Sequence, residues 1–216
     1  MARLVEIEVT QRYLVPEPPV IELSAEDGEP LESPWHRAQI NLLIECVHRH
    51  LQDRHDYFVG GNMFLYYSAQ QARSRDYKGP DFFFVCPTDG RRIRESWIVW
   101  EEDGQYPNLI IELLSRTTAA ADLGPKKDLY ERTFKTPEYF CFDPETGHLR
   151  GWRLGEDGYT ELSPDEAGRF ESRQLGLFLG TARGTYQRME ALWLRWFERS
   201  GAMVPTAEER AAGLRG

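Results

Sequence analysis

The sequence predicts a mixed α/β (α+β) chain built on one central sheet, and three observations point there. An apolar-faced helix opens the ordered region. A series of short hydrophobic strands follows, with one short helix inserted among them. Aromatic-rich hairpin patterns close the chain. Helix, strands and a single inserted helix give a mixed sheet covered by helices. The 216 residues are enough for a real core, and 41% hydrophobic with 12% aromatic content fits a globular chain.

The elements follow in order. Residues 1–33 are rich in Pro and Glu and weakly periodic, so residues 1–23 read as an N-terminal arm. The main domain is assigned to 24–205 and a terminal helix or tail to 206–216. In "SPWHRAQINLLIECVHRHLQDRH" Ser33 is a natural N-cap, Pro34 suits the first turn, and Ile40, Leu43, Ile44, Val47 and Leu51 give one apolar face. Strands are expected at "DYFVGGN", "MFLYYSA", "PDFFFVC", "SWIVWE" and "NLIIELL". "GPKKDLYERTF" reads as a short helix that starts with Pro125 in its first turn. "PEYFCFDP" is a further strand closed by the turn "DPETG", and "HLRGWRL" with "GYTELS" reads as a hairpin around "GEDG". "LWLRWFERSGAMVP" reads as a hairpin across Ser-Gly in preference to a helix. Thr206 lies three residues before Glu209, a capping-box pattern.

Bulk properties narrow the function classes. No apolar run approaches the roughly 20 residues of a membrane span, and the N-terminus has no basic start followed by an apolar block. Cys46, Cys86 and Cys141 are odd in number and widely spaced, without zinc-ligand spacing. Reduced thiols in a cytoplasmic protein are the expectation. The net charge of −9 opposes long-range attraction to nucleic acid. Positive charge is concentrated locally in Arg73, Arg75 and Lys78 and in Arg91, Arg92 and Arg94, on both sides of "PDFFFV". These are either DNA-binding patches or solvated loops.

The segment "YPNLIIELLSRTTAAADLGPKKDLYERT" carries the functional signal. Glu112 interrupts an apolar run of the kind covered on both faces of a sheet. A buried, unpaired carboxylate costs several kcal/mol in effective terms. A metal ion, a cationic side chain or a changed protonation state would compensate it. Asp81 opens a strand after Pro80, and Lys126 and Lys127 lie on the helix after the Glu112 strand. Two carboxylates on neighbouring strands can hold a hard divalent cation, which lowers the pKa of a bound water. A nearby Lys can orient that water or offset charge on a phosphate.

At these residues the chain resembles the Uma-two family of the PD-(D/E)xK nuclease superfamily. "GPDFFFV", "YPNLIIELLS", "DLGPKKDLY" and "TPEYFCFDP" match its successive motifs, within a resemblance spanning about residues 24–205. The resemblance implies a restriction-endonuclease-like fold and DNA cleavage with Mg²⁺ or Mn²⁺. It makes Asp81 the PD aspartate and Glu112 the acidic residue of ExK, with the backbone carbonyl of Leu113 as a further metal ligand. Where the superfamily has Lys two residues after the acid, this chain has Leu114. A K-x-x-Y pattern on the next helix selects Lys127, three residues before Tyr130, with Lys126 as runner-up. His36 falls where the family often has His, and Glu45 is a candidate extra carboxylate. Asp122 reads as a helix cap near Pro125. Such enzymes usually act as twofold dimers, so a homodimer is expected, with the aromatic C-terminal segment as one interface. Two competing readings are a catalytically silent assembly module and a metal-dependent hydrolase of nucleotides or small phosphoesters.

Overall fold

A computed structural model describes the backbone of residues 3–6, 12–15, 33–74 and 79–213, and the side chains of 33–72 and 79–213. Within the N-terminal arm, β1 (Arg3–Glu6) and β2 (Arg12–Val15) form a small antiparallel pair. Helix α1 (Pro34–His50) starts as its sequence predicts, with the His36 N–H donating to Ser33 Oγ at 3.2 Å and Pro34 in the first turn.

The central sheet contains β3 (Phe58–Gly60), β5 (Phe82–Val85), β7 (Leu109–Leu113), β8 (Glu138–Phe142), β9 (Leu149–Gly155) and β10 (Gly158–Glu161). A short parallel pair, β4 (Leu65–Tyr66) and β6 (Trp97–Ile98), lies outside it, and α2 (Ala69–Ser74) follows β4. The order across the central sheet is β10-β9-β8-β7-β5-β3. Only β7 and β8 run parallel, and the other neighbours are antiparallel. A parallel pair needs a crossover. The crossover here is one helical run: α3 (Ala119–Ala121), a π-helical turn (Asp122–Lys126), α4 (Lys127–Leu129) and a second π-helical turn (Tyr130–Phe134). The helix expected to begin at Pro125 therefore begins earlier. Pro125 sits inside it, within a π turn whose wider winding relieves the clash of a proline ring with the preceding turn.

Strand alternation sorts β7 between two cores. Leu109, Ile111 and Leu113 face α1 together with Phe82, Phe84, Phe140 and Phe142. Ile110 and Leu114 face the crossover helix with Phe83, Tyr130, Phe134 and Tyr139. Glu112 has the parity of the second set. Behind α1 lies a second antiparallel sheet of β11 (Phe170–Ser172), β12 (Leu177–Tyr186) and β13 (Met189–Phe197). The Gln39 side chain fixes α1 to β13 by donating to the Leu194 carbonyl at 2.9 Å and accepting from its N–H at 2.8 Å.

Trp193, Leu194 and Trp196 of "LWLRWF" are buried in this core, so these side chains form no subunit interface. The Ser200-Gly201 turn reverses the chain, yet the return is a single bridge from Met203 to Phe197. The long hairpin is β12–β13 instead. It turns through Gln187 and Arg188, both at positive φ (48° and 65°). The terminal helix α5 (Ala207–Gly213) has the expected capping box: Thr206 N–H to Glu209 Oε2 at 2.7 Å, and Glu209 N–H to Thr206 Oγ1 at 3.2 Å.

One close approach fixes the start of β5. A Cβ on Gly61 would meet Ile40 Cγ2 and stand 2.5 Å from the Asp81 carbonyl oxygen. Gly61→Ala is therefore expected to lower stability by about 1–3 kcal/mol through overpacking. Urea unfolding of the variant against the parent chain measures this.

Candidate active site

β5 and β7 bring their carboxylates together at one end of the sheet. Phe82 pairs with Ile111, so the next residues outward, Asp81 and Glu112, lie side by side. The Asp81 N–H donates to Glu112 Oε2 at 3.3 Å, and the Leu113 N–H donates to Asp81 Oδ2 at 2.7 Å. His36, at the start of α1, places Nε2 3.4 Å from Asp81 Oδ2.

Glu112 is 1% exposed. Its Oε1 accepts from Tyr130 Oη at 2.7 Å and from Lys126 Nζ at 3.2 Å. Lys126 also stands 2.8 Å from Asp122 Oδ1, so one ammonium bridges two buried carboxylates. Burial pushes the Glu112 carboxyl above the usual glutamate range; Lys126 opposes the shift, and Asp81 and Asp122 add to it. Burial alone would lower the Lys126 ammonium, but Glu112 and Asp122 outweigh it and hold its pKa above the usual value.

The lysine assignment changes. Lys126, not Lys127, reaches Glu112. Lys127 Nζ lies over Trp152 (5.1 Å) and Tyr159 (5.7 Å). Residues three and four apart both share a helix face, so the spacing to Tyr130 admits either lysine. Asp122, Lys126, Tyr130 and Phe134, spaced by four, share the face toward the sheet.

Two other expectations are corrected. Asp122 caps no helix; it lies within the helical run, its side chain makes no capping hydrogen bond, and Lys126 is its partner. Glu45 turns away from the site. It is nine residues after His36, half a rotation around α1, and accepts from Tyr186 Oη (3.1 Å) and from the Ala207 N–H (2.7 Å) at the start of α5. Sequence reasoning used Tyr130 only as a landmark for the lysine and missed it as the closest partner of Glu112. Its signal was the four-residue spacing from Lys126.

The arginines fall into two groups. Arg75, Lys78 and the side chain of Arg73 lie outside the described residues. Arg91 and Arg92 follow the far end of β5 from Asp81, and both are paired: Arg91 with Asp89, Arg92 with Glu101 and Glu102. Arg94 is buried, forks onto Glu102 and stacks over Phe58 and Trp97. Arg94 ties this loop to the sheet, while Arg91 and Arg92 stay exposed at the far end of β5 from Asp81. His48 and His50 go separately to Tyr57 Oη and the Leu175 carbonyl.

The carboxylate pair suits a hard divalent cation in donor type. Glu112 Oε1 is committed to Tyr130 and Lys126, whereas Oε2 has only the 3.3 Å contact from Asp81. An ion would thus take Oε2 and the Asp81 carboxylate. No arrangement of three or more His, Cys, Asp or Glu able to hold a metal occurs among the described residues, so water would complete the shell. A cleft of about 290 Å³ is lined by Trp35, His36, Leu114, Ser115 and Arg116, and His36 links it to Asp81.

The chain is thus a mixed sheet with helices on its faces, with paired carboxylates and an ammonium where adjacent strands meet the crossover helix. The family described as "Putative restriction endonuclease", Uma2, matches residues 9–182. The match covers most of the chain, and the chain belongs to that family. A solved structure from Anabaena variabilis, described as a "putative nuclease" of the DUF820 group, is similar at 11% identity with a TM-score of 0.49, over 68% of this chain and 76% of that one. No curated protein matches. Among the described residues no helix is long and apolar enough to cross a membrane.

The raised Glu112 pKa has a consequence for stability. The folded chain binds that proton more tightly than the unfolded chain, so this group's contribution falls as pH rises above the ordinary glutamate value of about 4.3. Glu112→Gln removes the dependence. Relative to the parent, the variant is expected to gain about 1 kcal/mol or more between pH 5 and pH 8, roughly 2–4 °C in Tm per kcal/mol. Melting curves at the two pH values test this; a constant difference would show that Glu112 stays ionised throughout.

Proposed function

We propose that the chain is a metal-dependent nuclease that hydrolyses phosphodiester bonds in DNA, with Asp81, Glu112 and Lys126 as its catalytic group. The observation that carries this is the buried Glu112 carboxylate, held between Asp81 on the neighbouring strand and Lys126 on the crossover helix. Membership of a family described as restriction endonucleases supports the same reading.

Asp81 and Glu112 would hold Mg²⁺ or Mn²⁺, with the Leu113 carbonyl as a further candidate ligand. Bound there, the ion supplies a water of lowered pKa and charge stabilisation on the phosphate. The chain's own residues do the rest. Tyr130 and Lys126 occupy Glu112 Oε1, which leaves Oε2 turned toward Asp81. Asp122 holds the Lys126 ammonium at the edge of the site, where it can orient a water or offset charge on a phosphate. His36 braces Asp81 from α1. Cutting both strands of a duplex would take two copies about a twofold axis, whereas one chain carries a full set of these groups for one strand.

The test is cleavage of supercoiled plasmid with Mg²⁺ or Mn²⁺, with Mn²⁺ binding followed separately by titration. Asp81→Asn and Glu112→Gln are expected to abolish cleavage and weaken Mn²⁺ binding. Lys126→Ala is expected to lower the rate by about 10²–10³-fold, the usual cost of losing one electrostatic stabiliser, while Lys127→Ala cleaves like the parent. Folded variants that all cut at the parental rate would overturn the proposal.

A further inference from the structure

The cleft lined by Trp35 and His36 has the features of a nucleotide site. The carboxylates do not line it, but two of its lining segments lead to them: His36 touches Asp81, and Leu114 to Arg116 continue β7 past Glu112. At about 290 Å³ it stands at the lower bound of ordinary small-ligand pockets, about 300 Å³.

Its walls sort by chemistry. The apolar part of the lining is the half-buried Trp35 indole, which stacks near-parallel on Trp193 at 5.8 Å and packs against Phe142, together with Leu114 and Pro144. The lining also carries Arg116, whose side chain is 85% exposed and pairs with the exposed Glu145. Such an exposed pair is weak and leaves the guanidinium open to a phosphate. Ser115 and Thr117 hydroxyls stand beside it. The remaining acids are otherwise engaged or unhelpful to a phosphate chain. Asp143 accepts from the Glu145 and Thr146 backbone N–H groups and from Thr146 Oγ1, which folds its own turn. Glu145 is the exposed partner of Arg116.

Resting on the nuclease reading, we propose that this cleft takes one unpaired nucleotide next to the bond to be cut, with its base against Trp35 and its phosphate on Arg116. The chain would then act on single-stranded or locally unpaired DNA in preference to an intact duplex. Charge supports this. An acidic chain gains little from a duplex phosphate lattice. Stacking and one phosphate contact depend far less on net charge.

The test is equilibrium binding of a fluorescein-labelled oligothymidylate and of a blunt duplex of equal length, in EDTA so that no cleavage is involved. The parent is expected to favour the single strand by roughly ten-fold or more. Trp35→Ala is expected to lose about five-fold to a hundred-fold in single-strand affinity, the range of one base–aromatic stack, and Trp35→Phe to keep most of it. Trp35→Ala also removes a core stack, so Arg116→Ala, an exposed change, is the second arm. It is expected to weaken single-strand binding and reduce the salt slope by about one. Equal affinity for duplex and single strand, or parental single-strand binding by Trp35→Ala and Arg116→Ala, would overturn the proposal. Selective binding without cleavage in Mn²⁺ would sink the nuclease reading and leave the nucleotide cleft standing.

Discussion

Glu112 is the constraint around which this molecule is arranged. A carboxylate at 1% exposure in the middle strand of a six-stranded sheet cannot be left alone. The surrounding structure reads as its compensation. β5 supplies a backbone N–H, and the crossover helix supplies an ammonium and a phenol. The parallel placement of β7 beside β8 makes a crossover necessary, and the crossover is the element that delivers Lys126 and Tyr130. Topology and chemistry are therefore one design: the same connection that closes the sheet also completes the site.

Much of this is legible in the sequence, and the reasons are local. Ser33 and Pro34 mark the start of α1, Thr206 and Glu209 mark that of α5, and continuous apolar runs mark β5, β7 and β8. Glu112 stands out because a charge in a doubly covered strand is rare and costly. What escapes is set by geometry that no residue type announces. The inward face carries Lys126 and not Lys127, and the spacing to Tyr130 admits either, because residues three and four apart both share a helix face. The β12–β13 hairpin turns through Gln-Arg, where the favoured Asn-Gly signal is absent, so a ten-residue strand is invisible to turn chemistry. The arginines at 91, 92 and 94 look like a basic patch in one dimension. In three, Arg94 is buried against Glu102, and Arg91 and Arg92 pair at the surface with Asp89, Glu101 and Glu102, acids lying up to ten residues away in sequence.

The same energetics bear on the silent-module reading. A buried group of Glu112, Asp122 and Lys126 with the half-exposed Asp81 beside it is not an economical way to hold a helix on a sheet. Apolar residues of similar volume at such positions are often neutral or more stabilising, by about 1–4 kcal/mol. This chain shows that it can build such packing, because Ile110, Phe83, Phe134 and Tyr139 do so immediately around the charges. An ammonium shared between two carboxylates, with a third carboxylate at the sheet's end and an open cleft linked to it by His36, stabilises less than the alternative but is chemically able. Strongly perturbed ionisable groups of this kind cluster where chemistry is done. The cost of the arrangement is thus itself an argument for function. The asymmetry of Glu112, one oxygen fully committed and the other lightly held, gives that function a direction, toward Asp81 and the end of the sheet.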